Sequence, residues 1–433
     1  LQTYPQSLIA INVLGLALKG QGKLQEAVQV YDKAIQLKPD FAEVYSNRGN
    51  TLQELGQLDA AVKSYEKALA IKPDYAEAHY NLGNTLQELG QLDAAVKSYE
   101  KVLVTKPDYA EAHNNLGTVL KELGQLDAAV KNYEKALAIK SDFTKAHNNL
   151  GTVLKELGQL DAAVKSYEKA LAIKSDYAEA HYNLGNTLKD LGQLDAAVKS
   201  YEKALATKPD YAEAHNNLGN TLNELGQLDE ALKSCDKAIQ LKPDFAEAYS
   251  NRGNALKDLG QLEVAIQNYD KAIQLKPDYA EAHNNRGVAL KDLGRLDESL
   301  KDFDKAIQLK PDYEDAYSNL LMTLNYSPRH NHIDHITMAR KFGKIVTEKA
   351  GPHFPDYHCL PRPEKLRVGL VSGDLRSHPV SYFLESVLSA IDPSKIELIA
   401  YPTTPIVDDL SERIKPSFSM WKPIYGKNDE AAA

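Results

Sequence analysis

Nine asparagines stand at one constant spacing along the chain: Asn47, Asn81, Asn115, Asn149, Asn183, Asn217, Asn251, Asn285 and Asn319. A primary amide carries donors and an acceptor on one planar group, so a ladder of them suits the backbone of an extended peptide whatever its side chains. Other residues able to do chemistry are more scattered. His79, His113, His147, His181, His215 and His283 share one phase of the same spacing, where Tyr45 and Tyr249 also occur, and so read as packing residues. His330, His332 and His335 invite a metal reading, as do His353, His358 and Cys359, but no set of Cys or acidic partners at ligand spacing completes four ligands. His378 follows Asp374 by four residues, and an imidazole titrating near neutrality can orient a hydroxyl or take its proton.

What positions the asparagines is a repeat. Glycines recur at the same interval from Gly15 through Gly49 to Gly287, with a second series from Gly22 through Gly56 to Gly294. Counting Leu8 as position 1, nine full units cover 8–41 through 280–313, and a partial tenth begins at Glu314. In the unit 42–75, Tyr45, Arg48, Gly49 and Leu52 mark one helical face, and Leu58, Ala61, Val62, Tyr65, Ala68 and Leu69 mark a second. Gly56 between them predicts a helix stop. At the junction Lys72–Ala78, Asp74 is predicted to cap the next helix, with Glu77 reaching back as in a capping box. Small residues such as Gly49 and Ala61 predict close approach of the paired helices, with Tyr65 filling the wider gap. A two-helix hairpin cannot bury both its faces, so neighbours must stack.

A helix turns about 100° per residue, which puts positions 2, 6, 9 and 13 of each first helix on a stripe away from the buried face. The asparagines hold position 6, while position 5 wanders among Ser, Tyr and Asn. Duplication alone would also preserve them, since Leu55–Lys72 and Leu157–Lys174 are identical. The drift at position 5 argues for a binding role instead, on the premise that an exposed amide is not required for packing.

The units resemble the tetratricopeptide repeat in their length of about 34 residues. They share its Gly at position 8, Ala at 20, an aromatic at 24, Ala at 27 and Pro at 32. Departures are local: Ser141 and Ser175 replace Pro, Ser299 and Val102 replace Ala, and Cys235 sits at an aromatic position as a buried spacer. The resemblance implies a mostly α fold, a right-handed tetratricopeptide-repeat α-solenoid or superhelix, with the position-6 stripe on its concave surface. Glu43, Glu77 and Glu111 at position 2, and Glu54, Glu88 and Asp190 at position 13, make that stripe unlike the Lys- and Arg-bearing carboxylate clamps of repeats that hold chaperone C-termini. The expected partners are extended, neutral to basic peptide or protein segments.

From Glu314 the period is lost, and 314–433 holds eleven of the 19 prolines. Glu314–Tyr326 keeps a first-helix pattern but has Leu321 for Gly, no second repeat helix is expected after it, and it reads as a cap. Ile333–Lys349 predicts a helix and Gly351–Pro363 a proline-broken loop. Leu366–Val371, Ser381–Ile391 and Ile396–Tyr401 predict strand, helix, strand, the first βαβ of an α/β sheet. Pro379 suits the first turn of that helix. Ile406–Ile414 predicts one more helix, with a short run near Met420–Tyr425. His378 then falls between a strand end and a helix start, where open α/β sheets bind ligands. Gly369 and Gly373 do not form a phosphate-cradling glycine loop.

The run Leu366–Val380, with its Ser372-Gly373-Asp374 and His378-Pro379, together with Asn319–Tyr326, resembles the start of the catalytic region of the protein O-linked N-acetylglucosamine transferase family, especially bacterial members of the SPINDLY-like kind. Gly373 and Leu375 differ from the Ser or Pro and the Phe common there. The resemblance implies metal-free transfer of N-acetylglucosamine from UDP-GlcNAc, the donor of the full-length family, to Ser or Thr hydroxyls. It also implies that Asp374, His378 and Pro379 lie on the acceptor side of the cleft, and that the asparagine ladder belongs to a substrate-binding arm. No cofactor is expected in this chain itself.

The organisation expected is 1–7, the end of a preceding repeat; 8–313, nine repeats; 314–365, capping helices and a Pro-rich linker; and 366–433, an incomplete glycosyltransferase-like α/β segment. Pro5 lies one full repeat before Pro39 and no Met starts the chain, so a fragment is expected, without transferase activity by itself. The alternative is a stand-alone protein-interaction scaffold unconnected with glycosyl transfer; sequence continuing past Ala433 would separate the two. Of the 433 residues, 60 are Asp or Glu and 51 Lys or Arg, and residues 1–313 hold 45 and 37 of these, so the acidity belongs to the repeats and disfavours nucleic acid. No apolar run approaches membrane-spanning length. Two cysteines and no secretory leader suggest a reducing cytoplasmic setting. Oligomeric state is not legible.

Overall fold

The computed structural model describes residues 8–326, 332–350 and 365–425. They form two compact units, 1–346 and 347–433.

In the first unit every repeat is a helical hairpin, as in Ala42–Glu54 with Leu58–Ile71 and Ala178–Asp190 with Leu194–Thr207, and the hairpins stack into a solenoid. The turn between the two helices needs a left-handed residue, and Gly56 supplies it at φ 72°. Helix approach is set by position 8: a Cβ built on Gly49 would lie 2.6 Å from Cε1 of Tyr65, which is itself fully buried. Burial drives the Tyr65 phenol well above its ordinary range, and its hydroxyl donates to Asn50 Oδ1 at 2.8 Å. Where the sequence departs from the pattern, the core adapts. Val102 and Cys235 are fully buried, and Ser299 donates its hydroxyl to the Gly287 carbonyl at 2.7 Å.

The capping expected of Asp74 does not form. The N-cap of that helix is Tyr75, and no side chain bonds to the helix end. Asp74 is spent inside the turn after Pro73, while Lys72 lies 4.9 Å from the Tyr75 ring centroid and so holds the aromatic residue at the boundary.

The cap helix Glu314–Leu324 is followed by the helix expected over 333–349, here His332–Ala350, which covers the end of the array. This helix packs Met338, Phe342 and Ile345 on a core of Phe303, Tyr317 and Leu320, with Phe342 stacked 5.6 Å from Tyr317. Its apolar residues do not follow the repeat's phases, so the sequence pattern predicted the helix but not its packing on the array.

The second unit holds a parallel sheet: β1 (Leu366–Ser372) pairs with β2 (Ile396–Pro402), and β2 pairs with β3 (Met420–Trp421). The crossover helix Pro379–Ala390 sets Leu388 against Leu398 and Ala400. The last helix begins at Asp409, later than Ile406, because Asp408 and Ser411 close a capping box there. Exposed apolar residues lie on β1, with Leu366 57% and Val371 64% exposed. The middle of β2 is buried, since β3 covers its other edge.

Candidate peptide-binding groove

First helices of consecutive repeats touch one another, so the array curves with these helices inside and their position-6 asparagines along the inner stripe. All nine asparagines are half-buried. Each donates through Nδ2 to the preceding repeat at 2.8–3.1 Å. The ladder therefore stitches repeats together, and the premise that packing does not need the amide is wrong.

The acceptors explain the drift at position 5. Asn12, Asn114, Asn148, Asn216 and Asn284, all at position 5, receive the bonds of Asn47, Asn149, Asn183, Asn251 and Asn319. Where position 5 is Ser46, Tyr80, Tyr182 or Ser250, position 9 supplies the amide acceptor, as Asn50, Asn84, Asn186 or Asn254, joined at Tyr80 and Tyr182 by the phenol oxygen. The two positions vary together because either can place an oxygen under the next amide. These acceptors were missed as functional residues. The signal was present in the sequence as this exchange between positions 5 and 9.

The rungs are not equivalent. Asn115 spends Nδ2 on Tyr80 Oη and Asn84 Oδ1 while its own Oδ1 accepts from Asn114, and Asn217 is held in the same way by Tyr182, Asn186 and Asn216. Asn149 and Asn183, like Asn47, Asn81, Asn251 and Asn319, make one such bond each, which leaves one N–H and the Oδ1 of each amide uncommitted among the described residues. A cavity of about 290 Å³ is lined by Lys155, Asn186, Lys189, Asp190, Tyr201 and the fully bonded Asn217.

A second ladder runs along positions 12 and 13. Lys155 pairs with Asp190 at 3.1 Å and Lys189 with Glu224 at 2.9 Å, whereas Glu88 and Glu122 are met by the neutral amides of Gln53 and Gln87. At position 2, Glu111 and Glu247 are paired with Lys140 and Lys276. Glu88 and Glu122 are thus acidic groups of the groove without a cationic partner among the described residues, as Glu156 also is.

The position-4 histidines direct Nε2 at the junction carbonyl six residues earlier, as His79 does to Pro73 at 2.9 Å and His181 to Ser175 at 2.9 Å. Burial pushes the His181 and His215 imidazoles below their ordinary range. Burial likewise raises the Cys235 thiol to about 12, which keeps it unreactive.

In the second unit, His378 is the N-cap of the helix Pro379–Ala390, and its Nδ1 accepts the Val380 N–H at 3.3 Å. Asp374 Oδ2 stands 3.7 Å from that same nitrogen. The two contacts exclude each other, since the first needs a bare Nδ1 and the second a protonated one. In the capping state Nε2 carries the proton. His330, His353, His358 and Cys359 lie outside the described residues, as do the side chains of His332 and His335. Among the described residues no cluster of three His, Cys, Asp or Glu can hold a metal, and no helix is long and apolar enough to cross a membrane.

The TPR repeat model matches residues 15–56, 49–90, 83–124, 117–158, 151–192, 185–226, 219–260 and 253–294, and the tetratricopeptide repeat model matches 280–313. The chain belongs to the tetratricopeptide repeat family. It is similar to MamA at 30% identity over 38% of this chain and 96% of that one, with a TM-score of 0.36. It is similar to YrrB, a TPR protein with an unusual peptide-binding site, at 27% identity over 43% of this chain and 96% of that one, with a TM-score of 0.38. A variant of the Thermobaculum terrenum O-GlcNAc transferase shares 28% identity over 51% of this chain at a TM-score of 0.37, and this chain spans 42% of its length. No curated protein matches.

Proposed function

We propose that the solenoid binds extended protein segments along its inner stripe as the substrate-recognition arm of a protein glycosylation system of the O-GlcNAc transferase kind. The observation that carries the peptide reading is the set of singly bonded amides, Asn149 and Asn183 in mid-array among them, each offering one donor and one acceptor to a passing backbone. Glu88 and Glu122 favour a basic residue in the segment lying over the preceding repeats.

Asp374 and His378 line the acceptor side in this reading. The helix beside them does not fit the diphosphate of UDP-GlcNAc. Pro379 has no N–H, and those of Val380 and Ser381 are taken by the His378 side chain and carbonyl, so no donor at this helix start is left for an anion. No step of sugar transfer is derived through these residues.

Fluorescence anisotropy with extended peptides of matched length tests the arm. A Lys-bearing peptide is expected to bind more tightly than its Glu-bearing counterpart, and the double replacement Asn149→Ala, Asn183→Ala to weaken it about tenfold. Circular dichroism on the same variant should show retained helicity with a lowered melting temperature, because each amide also holds its preceding repeat. Unchanged affinity, or a preference for the acidic peptide, would overturn the assignment.

A further inference from the structure

Position 2 of the groove stripe changes sign once. It is glutamate in the repeats on either side, Glu111 and Glu179, and in every other repeat from Glu43 to Glu281, but it is Lys145 in the repeat 144–177. The change is local. The first helices Ala110–Glu122 and Thr144–Glu156 differ at their first two residues alone, and the block Leu157–Lys174 that follows is a copy of Leu55–Lys72. Lys145 is therefore not part of a general drift of its repeat.

Other repeats show what the exchange does. In four of them the junction lysine at position 31 pairs with the position-2 glutamate of its own repeat: Lys140 with Glu111 at 3.3 Å, Lys242 with Glu213 at 3.6 Å, Lys276 with Glu247 at 3.1 Å and Lys310 with Glu281 at 3.3 Å. The two positions thus reach the same point. In the repeat 144–177 they hold Lys145 and Lys174, both exposed, and no carboxylate pairs with either among the described residues. Lys174 lies 5.7 Å from the Tyr177 ring centroid. The acids nearby in the chain do not fill the gap. Glu179 is met by Asn148 Nδ2 at 3.3 Å and Tyr177 Oη at 3.5 Å. Asp142 and Asp176 are the aspartates of every junction, including the four whose lysine bonds glutamate instead. Glu156 stands at the far end of the helix, about 16 Å from Lys145 along its axis. Asn149, one turn beyond Lys145 on the same stripe, has an N–H to spare.

From this pairing we infer that the repeat 144–177 holds the carboxylate of an Asp or Glu side chain of the bound segment between the ammonium groups of Lys145 and Lys174, with the Asn149 amide one turn away. The incoming carboxylate takes the place that a glutamate of the chain holds in the four paired repeats. The inference rests on the groove reading above and gives the segment a sign pattern, basic over the repeats of Glu88 and Glu122 and acidic over the repeat that follows them. Such a pattern fixes register and direction, which an amide ladder that meets only the backbone cannot do.

Fluorescence anisotropy on the full chain with a set of neutral extended peptides tests the site. One peptide carries a single Lys, and the others add one Glu to it at successive places. The Lys peptide alone reports whether the groove binds. One placement of Glu is expected to tighten binding about three- to tenfold at low salt, as two exposed ion pairs would, and the gain to fade at high salt. Lys145→Glu restores the residue of the other repeats and so should fold normally. It should bind the Lys peptide at least as tightly and abolish the gain from Glu. Glu111→Lys should create a second favourable placement. If the Lys peptide binds but no placement of Glu helps, or if the gain survives in Lys145→Glu, the inference is overturned and the groove reading stands. If no peptide binds, the groove reading falls and the inference with it.

Discussion

The solenoid and the small α/β unit solve the problem of exposed edges in opposite ways. In the solenoid each hairpin hands its polar groups to the next. Asn183 bonds Asn148, Lys189 bonds Glu224, and the faces between repeats are closed by Tyr201 and its equivalents. In the α/β unit β2 is flanked on both sides, but among the described residues β1 pairs on one side alone, with Leu366 and Val371 exposed. A stack of identical neighbours satisfies its surfaces by repetition, whereas a sheet of three strands has an open side wherever no further strand pairs.

The largest test of this contrast is Arg286→Ala. Arg286 holds the nearly buried Asp302 through two bonds, at 2.7 and 2.6 Å, and removing it leaves a carboxylate inside the array with His283 as its remaining partner, at 3.4 Å. A loss of about 3–5 kcal/mol is expected by urea denaturation. The Asp302 pKa is pushed up by burial, but the bonds from Arg286 and His283 outweigh this and leave it below the ordinary carboxylate value. A depressed folded pKa gives stability that is present above the unfolded value and lost as pH falls through the folded one. The wild-type chain should therefore lose this contribution on acidification below the ordinary carboxylate range, and the variant should lack it at neutral pH. If repeats tolerate a stranded charge by local rearrangement, the variant will melt as the wild type does.

A smaller loss, about 1–3 kcal/mol, is expected from Gly185→Val, because a Cβ there meets Tyr201 at 2.6 Å. The control Gly343→Ala in the covering helix has nothing within 4 Å and should be neutral or slightly stabilising by thermal melting. The smallest effect on stability, and the sharpest on the sheet, is expected of Val371→Lys. It should leave the melting of the solenoid unchanged and reduce concentration-dependent light scattering if the β1 edge drives association. Equal scattering would remove the edge as a liability.

Much of the fold was legible because one strict period repeats the same local signals: glycine where φ must be positive, alanine where helices cross, and tyrosine where the gap is wide. The βαβ order was legible for the same local reason, through Pro379 at a helix start and apolar runs of strand length. What escaped prediction was non-local. Asp74 reads as a cap because its type and spacing suit one, yet the turn after Pro73 places Tyr75 there instead. The helix over 333–349 was legible, but its covering role was not, because its Phe342 follows no phase of the repeat and its apolar face makes sense only against Tyr317.

The asparagine ladder divides along the same line. Its residues, their phase and their common face follow from the sequence, since one spacing and one helical angle place them. Which amides are spent on the neighbouring repeat and which remain for a ligand was decided only by tertiary structure. That depends on whether acceptors stand at one or at both of the separations of 31 and 35 residues, and the two reach the same point in space only when one hairpin is packed on the next.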